Sequence, residues 1–192
     1  LLLSGPGRVR PVKVCGIELP QQLEVSPLDS ALVFQNGKPA KQIDFGNWPD
    51  GQVGGLVGIG VLSRPDEKTD RYDMQQIREF LGKPAVLATG TAQPQANDST
   101  GSGDRPQIRR QVIRFTIADV VMTGVSDLDE SFVYLPLETL SQVLYPNAPV
   151  SADVIQIRLA GGVDEEVAMA VISGVWNRFA QERFAWYSRA DI

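Results

Sequence analysis

Asp127, Asp129 and Glu130 stand close enough in sequence to hold a cation or to act as paired carboxylates. A calcium loop spreads its oxygen ligands over about twelve residues around a central glycine, and that pattern is missing. Turn and capping roles are therefore expected of these acids. Arg105, Arg109, Arg110 and Arg114 form a basic cluster suited to an acidic partner or anionic lipid headgroups; a solvated strand face is the competing account. Gly54, Gly55, Gly58 and Gly60 invite a nucleotide-loop reading. Gly58-Ile59-Gly60-Val61-Leu62-Ser63, however, ends in Ser where the dinucleotide fingerprint takes Gly or Ala, and no Gly-Lys-Ser/Thr triplet occurs anywhere. With no clear strand predicted ahead of these glycines, they are expected to make a glycine-rich turn. Trp48, in a Gly-Asn-Trp-Pro-Asp stretch, is a candidate exposed aromatic contact. The chain has no histidine, which removes Ser-His-Asp and Cys-His nucleophiles and His metal ligands. The lone Cys15 is expected to be a small buried hydrophobe. No cofactor and no metal are expected.

The 192 residues are 43% hydrophobic and 21% charged, the balance of a chain that folds around a core. A net charge of -5 argues against a nucleic-acid partner, which is held by neutralising phosphates with Lys and Arg. No run of about 18 apolar residues is present, so no membrane-spanning helix is expected within these residues. The opening Leu1-Leu2-Leu3, without methionine and followed by Ser4-Gly5-Pro6-Gly7, reads as a segment excised from something longer whose neighbours are membranous.

The elements that must position these residues follow from periodicity. Arg8 to Leu19 reads as a strand closed by Pro20. Val25 to Trp48 reads as short strands, with Asn36-Gly37 the best hairpin turn. The spacing of Met74, Ile77, Phe80 and Leu81 predicts a helix stopped by Gly82. Pro84 to Thr89 and Gln111 to Val121 read as a long hairpin, and the stretch between them, Ala92 to Gln107, offers no large apolar residue for a core. Phe132 to Leu135 is a strand, Pro136 starts a short helix, Val154 to Leu159 alternates as a strand, Val163 to Glu182 is a helix led by acids, and Phe184 to Ser188 is a last strand. The fold class expected is α+β: a β-rich N-terminal part and a β-α-β-α-β C-terminal part.

Thr123-Gly124, Asp129 and Phe132-Val133-Tyr134-Leu135-Pro136-Leu137-Glu138, followed by a short helix, a strand and an acid-led helix, together resemble the MacB-like periplasmic core domain of bacterial ABC transporter permeases. The lipoprotein-releasing LolC/LolE branch, with its FtsX relatives, is the nearest likeness. It covers about 82–192; Ala118-Asp119 stand where that family has a hydrophobic residue and glycine. The resemblance implies one extracytoplasmic domain over 1–192, lying between two membrane helices, with subdomains at about 20–125 and at 126–192 plus the first strand 8–19. It implies a bacterial inner-membrane protein with this domain on the periplasmic side. The domain would be non-catalytic, coupling ATP-driven motion of an ATP-binding cassette subunit to a periplasmic carrier, fusion or effector protein, as in lipoprotein export. The full-length transporter would form a dimer. In those relatives the hairpin equivalent to Thr91–Gln111 grips a carrier; Arg105, Arg109 and Arg110 at the base of this loop, and separately the exposed-contact candidate Trp48, are the candidate partner-binding residues. The loop here is rich in Ser, Gly, Asn, Asp and Gln. Two other accounts are carried forward: a free-standing extracytoplasmic binding or scaffold module using the same projection, and a hydrolase using Asp127 and Asp129.

Overall fold

Ten consecutive residues, 8–17, are extended and serve both ends of one sheet. In this computed structural model, which describes residues 2–5, 8–93 and 107–183, they form β2 (Arg8–Pro11) and β3 (Lys13–Ile17), separated only by Val12. The other strands are β1 (Leu2–Gly5), β4 (Val53–Gly58), β5 (Pro84–Gln93), β6 (Gln107–Val121) and β7 (Phe132–Pro136). Their order is β2-β1-β5-β6-β4-β7-β3. β2 and β3 are the two ends of that list and also one stretch of chain, so the sheet has to curl until its ends meet. Pairing is mixed: β6 with β4 and β7 with β3 are parallel, while β1 with β2, β1 with β5, β5 with β6 and β4 with β7 are antiparallel. The α+β class is as expected.

Curling gives the sheet an inside. Alternate residues of β6, Ile113, Phe115 and Ile117, join Ala85 and Leu87 of β5, Val57 of β4, Val133 and Leu135 of β7 and the linking Val12 in one buried cluster. Helix α6 (Leu137–Leu144) contributes Leu140 to it, as the leucine spacing after Pro136 predicts. The opposite face is covered by α1 (Leu19–Val25) and α2 (Leu28–Ala31), through Leu19, Leu28 and Leu32 on Leu56 and Val121. A third cluster joins Ile59, of the short helix α3 (Ile59–Leu62), to Ile77 of α4 (Met74–Arg78) and to Val120. Asp73 caps α4, accepting from the amides of Gln75 and Gln76, and Gly82, with φ of 74°, follows its last turn.

The four glycines at 54–60 are not a turn. They belong to a central strand, β4, and to the helical turn that follows it. They are needed for space. A Cβ on Gly54 would lie 1.6 Å from the carbonyl oxygen of Phe45, and one on Gly55 would lie 2.4 Å from the ring of Phe115. Val25 to Trp48 also departs from its expected strands. It holds α2, a single bridge from Leu32 to Val121 and a 3-10 turn at Ala40–Gln42, and Asn36-Gly37 makes a turn without a hairpin. The backbone there is claimed by a side chain of β6, described below, in place of a neighbouring strand. Val154 to Leu159 forms no strand, and Val154, Ile155 and Ile157 are exposed. Alternation makes a strand only where an edge is open, and β7 is already flanked by β4 and β3. The expected β-α-β-α-β order therefore lacks its middle strand, and its last, Phe184 to Ser188, lies outside the described residues.

Two compact units divide at Ile155/Gln156. The first contains the sheet and its helices. In the second, α7 (Glu165–Arg183) is the helix expected from Val163 to Glu182, with Glu165 and Glu166 in its first turn. Among the described residues no helix is long and apolar enough to cross a membrane.

The packing at Gly55 makes a measurable claim. Gly55→Ala has to displace the Phe115 ring or the Leu135 side chain, and is expected to destabilise the first unit by about 1–3 kcal/mol in urea unfolding. Gly161→Ala, with no atom within 4 Å of its Cβ position, is expected to stay within about 0.5 kcal/mol of the parent.

Candidate functional site

The hairpin that the sequence predicts is longer than expected and leaves the sheet. β5 and β6 pair over ten positions, from Pro84↔Thr116 to Gln93↔Gln107. β1 covers the other edge of β5 only at Val86, Leu87 and Ala88. β4 covers the other edge of β6 only from Phe115 onward. Beyond those limits the two strands continue as a two-stranded arm, with no third strand beside it among the described residues. Arg109 and Arg110 lie on this arm, opposite Thr91 and Gly90, and Arg114 sits at its base opposite Val86, exposed. Arg105 lies outside the described residues. The structure thus puts Arg109, Arg110 and Arg114 on one projecting element.

Trp48 lies elsewhere and part of its surface is spent inside the fold. It is half-buried, its Nε1 donates to the carbonyl of Phe45 at 2.8 Å, and its ring lies over the space left by Gly46 and Gly54.

At the other end of β6, two carboxylates turn towards the backbone. Asp129 lies in α5 (Ser126–Ser131) and is buried. One of its oxygens accepts from the amide of Thr123 at 2.7 Å and from its hydroxyl at 2.8 Å; the other accepts from the amide of Gly124 at 2.9 Å. Gly124 has φ of 81°, a conformation glycine takes without strain. Asp129 therefore pins the Thr-Gly turn that leads out of β6, as the turn reading of the acids expects. Asp127 is exposed in the first turn of the same helix, and its carbonyl accepts from the Ser131 hydroxyl. Both oxygens of Asp129 are thus engaged by Thr123 and Gly124. Among the described residues no three of His, Cys, Asp and Glu gather as a metal site requires.

The second carboxylate, Asp119, was legible only as a departure, with Ala118, from the hydrophobic residue and glycine of the family the chain resembles. It is completely buried in β6. Its oxygens accept from the amides of Phe34 at 3.0 Å and Gln35 at 2.7 Å, and from its neighbour Val120 at 2.6 Å. Gln35 in turn exchanges bonds with the backbone of Asp44, donating to its carbonyl at 3.0 Å and accepting from its amide at 3.3 Å. One buried side chain thus anchors the irregular segment after α2, which explains why strands do not form there. β6 also bulges here: Gly55 faces Ile117 but Leu56 faces Asp119. Loss of water around it raises the carboxyl above its ordinary value, against the pull of the amide hydrogen bonds from Val120, Phe34 and Gln35. Burial also pushes up the thiol of Cys15, which packs beside the cluster over α1, and the phenol of Tyr134 opposite it.

No family model matches the chain, and no curated protein does.

Both carboxylates can be tested. Asp129→Ala leaves the Thr123 and Gly124 amides without their acceptor and is expected to cost about 1–3 kcal/mol, read as a fall in the urea midpoint of the first unit. Asp119 holds its proton to a higher pH when folded than when unfolded. Its contribution is thus complete below the unfolded value and lost as pH rises through the folded one. The stability of the parent minus that of Asp119→Asn is expected to fall as pH rises through that window and to be flat above it. A difference that rises with pH there would show that hydrogen bonding outweighs burial.

Proposed function

We propose that this chain is the extracytoplasmic domain of an ABC transporter permease, non-catalytic in itself, that passes ATP-driven motion of the membrane part to a periplasmic cargo or partner protein. The observation that carries the reading is the β5–β6 arm. It extends past the strands that flank it, it bears Arg109 and Arg110, and at its root Ile113 is buried in the core and Gln111 donates to the Leu144 carbonyl. An element of this kind suits contact with a second protein: it is a paired ribbon whose sequence carries two adjacent arginines. The order of elements behind it also supports the reading. β6, the Thr123-Gly124 turn, the acid-bearing α5, β7 and the Pro136-led α6 follow one another in the order of the resemblance; the chain departs from it after α6, where Val154 to Leu159 is not a strand. In this reading the partners are an ATP-binding cassette subunit, through membrane helices, and a periplasmic carrier, fusion or effector protein; the location is the bacterial inner membrane with this domain outside the cytoplasm.

A free-standing binding module would use the same arm, and topology separates the two. In the full-length protein, a reporter active only outside the cytoplasm, inserted within the domain, is expected to be active. Apolar spans of about 20 residues are expected on both sides. Reporter activity only inside the cytoplasm, or a chain with no spans, would overturn the permease reading. With topology established, Arg109→Glu combined with Arg110→Glu is expected to abolish site-specific photocrosslinking from position 91 to a periplasmic partner while leaving thermal unfolding unchanged.

A further inference from the structure

A crevice opens where two parallel strands end. β3 and β7 are parallel neighbours in register, Ile17 opposite Pro136, and each runs directly into a helix, α1 after β3 and α6 after β7. The two helices pack on opposite faces of the sheet. Leu19 of α1 lies in the cluster with Leu32 and Val121, whereas Leu140 of α6 lies in the cluster inside the curl with Phe115. Where the connections from adjacent parallel strands diverge in this way, their carboxyl ends leave an unfilled gap, the common position of ligands in parallel sheets. Here the gap has a volume of about 470 Å³, within the range of small binding sites.

Its lining is specific in charge. Phe45, Leu137 and Val150 supply apolar surface, and Glu18, Asp44 and Glu138 supply three exposed carboxylates. Among the described residues that line it, none is basic. Glu18 precedes α1 but makes no capping hydrogen bond with its side chain. One oxygen of Asp44 accepts from the Gly46 amide at 2.9 Å, and one of Glu138 accepts from Gln142 Nε2 at 3.1 Å. The second oxygen of each, and the Glu18 carboxylate, have no hydrogen-bond partner among the described residues. Three like charges around an apolar floor repel one another, and a cation seated among them relieves that repulsion. An anionic or purely apolar occupant gains nothing from such a rim.

We infer that this crevice docks a short basic segment of a partner polypeptide, with an apolar side chain against Phe45, Leu137 and Val150 and Lys or Arg side chains on Glu18, Asp44 and Glu138. The site is independent of the β5–β6 arm and of the permease reading.

The test uses the whole chain, isotopically labelled, titrated with acetyl-Lys-Leu-Lys-Leu-Lys-amide and followed by amide resonances. Shifts are expected at Ile17, Glu18, Asp44, Phe45, Leu137 and Glu138. Affinity is expected to fall roughly two- to fivefold for each carboxylate neutralised in Glu18→Gln, Asp44→Asn and Glu138→Gln, as for exposed ion pairs. Acetyl-Glu-Leu-Glu-Leu-Glu-amide is expected not to bind. Shifts confined to other surfaces, or an affinity unchanged in all three variants, would overturn the inference. Equal binding by acetyl-Lys-Gly-Lys-Gly-Lys-amide would also overturn it, by reducing the site to diffuse attraction. Equal binding by n-butylammonium would refute a polypeptide occupant. The resonance map needs no variant, so it decides the location even if one of the substitutions fails to fold.

Discussion

A single stretch of ten extended residues has to pair with β1 at one end and with β7 at the other. Every other feature of the first unit follows from that demand. A sheet cannot satisfy it while flat, so it curls, and the curl creates an interior that side chains have to fill. Large residues of β6 take most of that space, with Phe115 among the largest fully buried side chains. The strand beside them then has to be thin. Gly55 supplies that thinness on the inner face, and Gly54 supplies it on the outer face, where the Phe45 carbonyl approaches. The glycines are thus consequences of the curvature and carry no ligand chemistry of their own.

Buried carboxylates do the work elsewhere done by strand pairing. Asp119 and Asp129 bind backbone amides that no strand reaches, one at the segment after α2 and the other at the turn after β6. A carboxylate taken out of water needs such donors to offset its desolvation, and an irregular segment that must lie against a sheet needs acceptors for its amides. The two needs are met together. The arrangement lets short irregular connections hold a fixed path over the surface.

The sequence showed those elements whose signal is local. The β5–β6 hairpin, α4 with its Gly82 stop, β7 with Pro136 and α6, and α7 were all legible from periodicity and from helix-stopping or helix-starting residues. The failures share a cause. Gly54 to Gly60 look like a turn because glycine is judged alone, while the reason for it lies in Phe45 and Phe115, distant in sequence. Val25 to Trp48 looks like short strands because its apolar residues are spaced for them, but the amides of Phe34 and Gln35 are taken by Asp119, about 85 residues away. Val154 to Leu159 alternates correctly, but β7, the strand it would follow, already has β4 and β3 on its two sides. At the candidate site, the arginines were visible as a cluster. Their placement on an arm depended on where β1 and β4 stop pairing, which no local pattern records. The carboxylates of the crevice were invisible for the same reason, since Glu18 and Glu138 become neighbours only through the β3–β7 register.

β6 runs from Gln107 on the arm to Val121 deep in the fold, and only Met122 separates its end from the turn pinned by Asp129. It therefore forms a load path. A pull applied beyond Gln107 along the strand would be borne by its parallel ladder with β4 and its antiparallel ladder with β5, both loaded in shear, so that many hydrogen bonds resist together and do not open one at a time. The stretch from Gln107 to Arg114, not flanked by β4, spans about 25 Å at the usual rise per residue. Sideways force on its outer part is met where Gln111 donates to the Leu144 carbonyl and Ile113 enters the core. The arm is therefore stiff to tension and compliant to bending, and it yields outside the point where β1 and β4 take up its two strands.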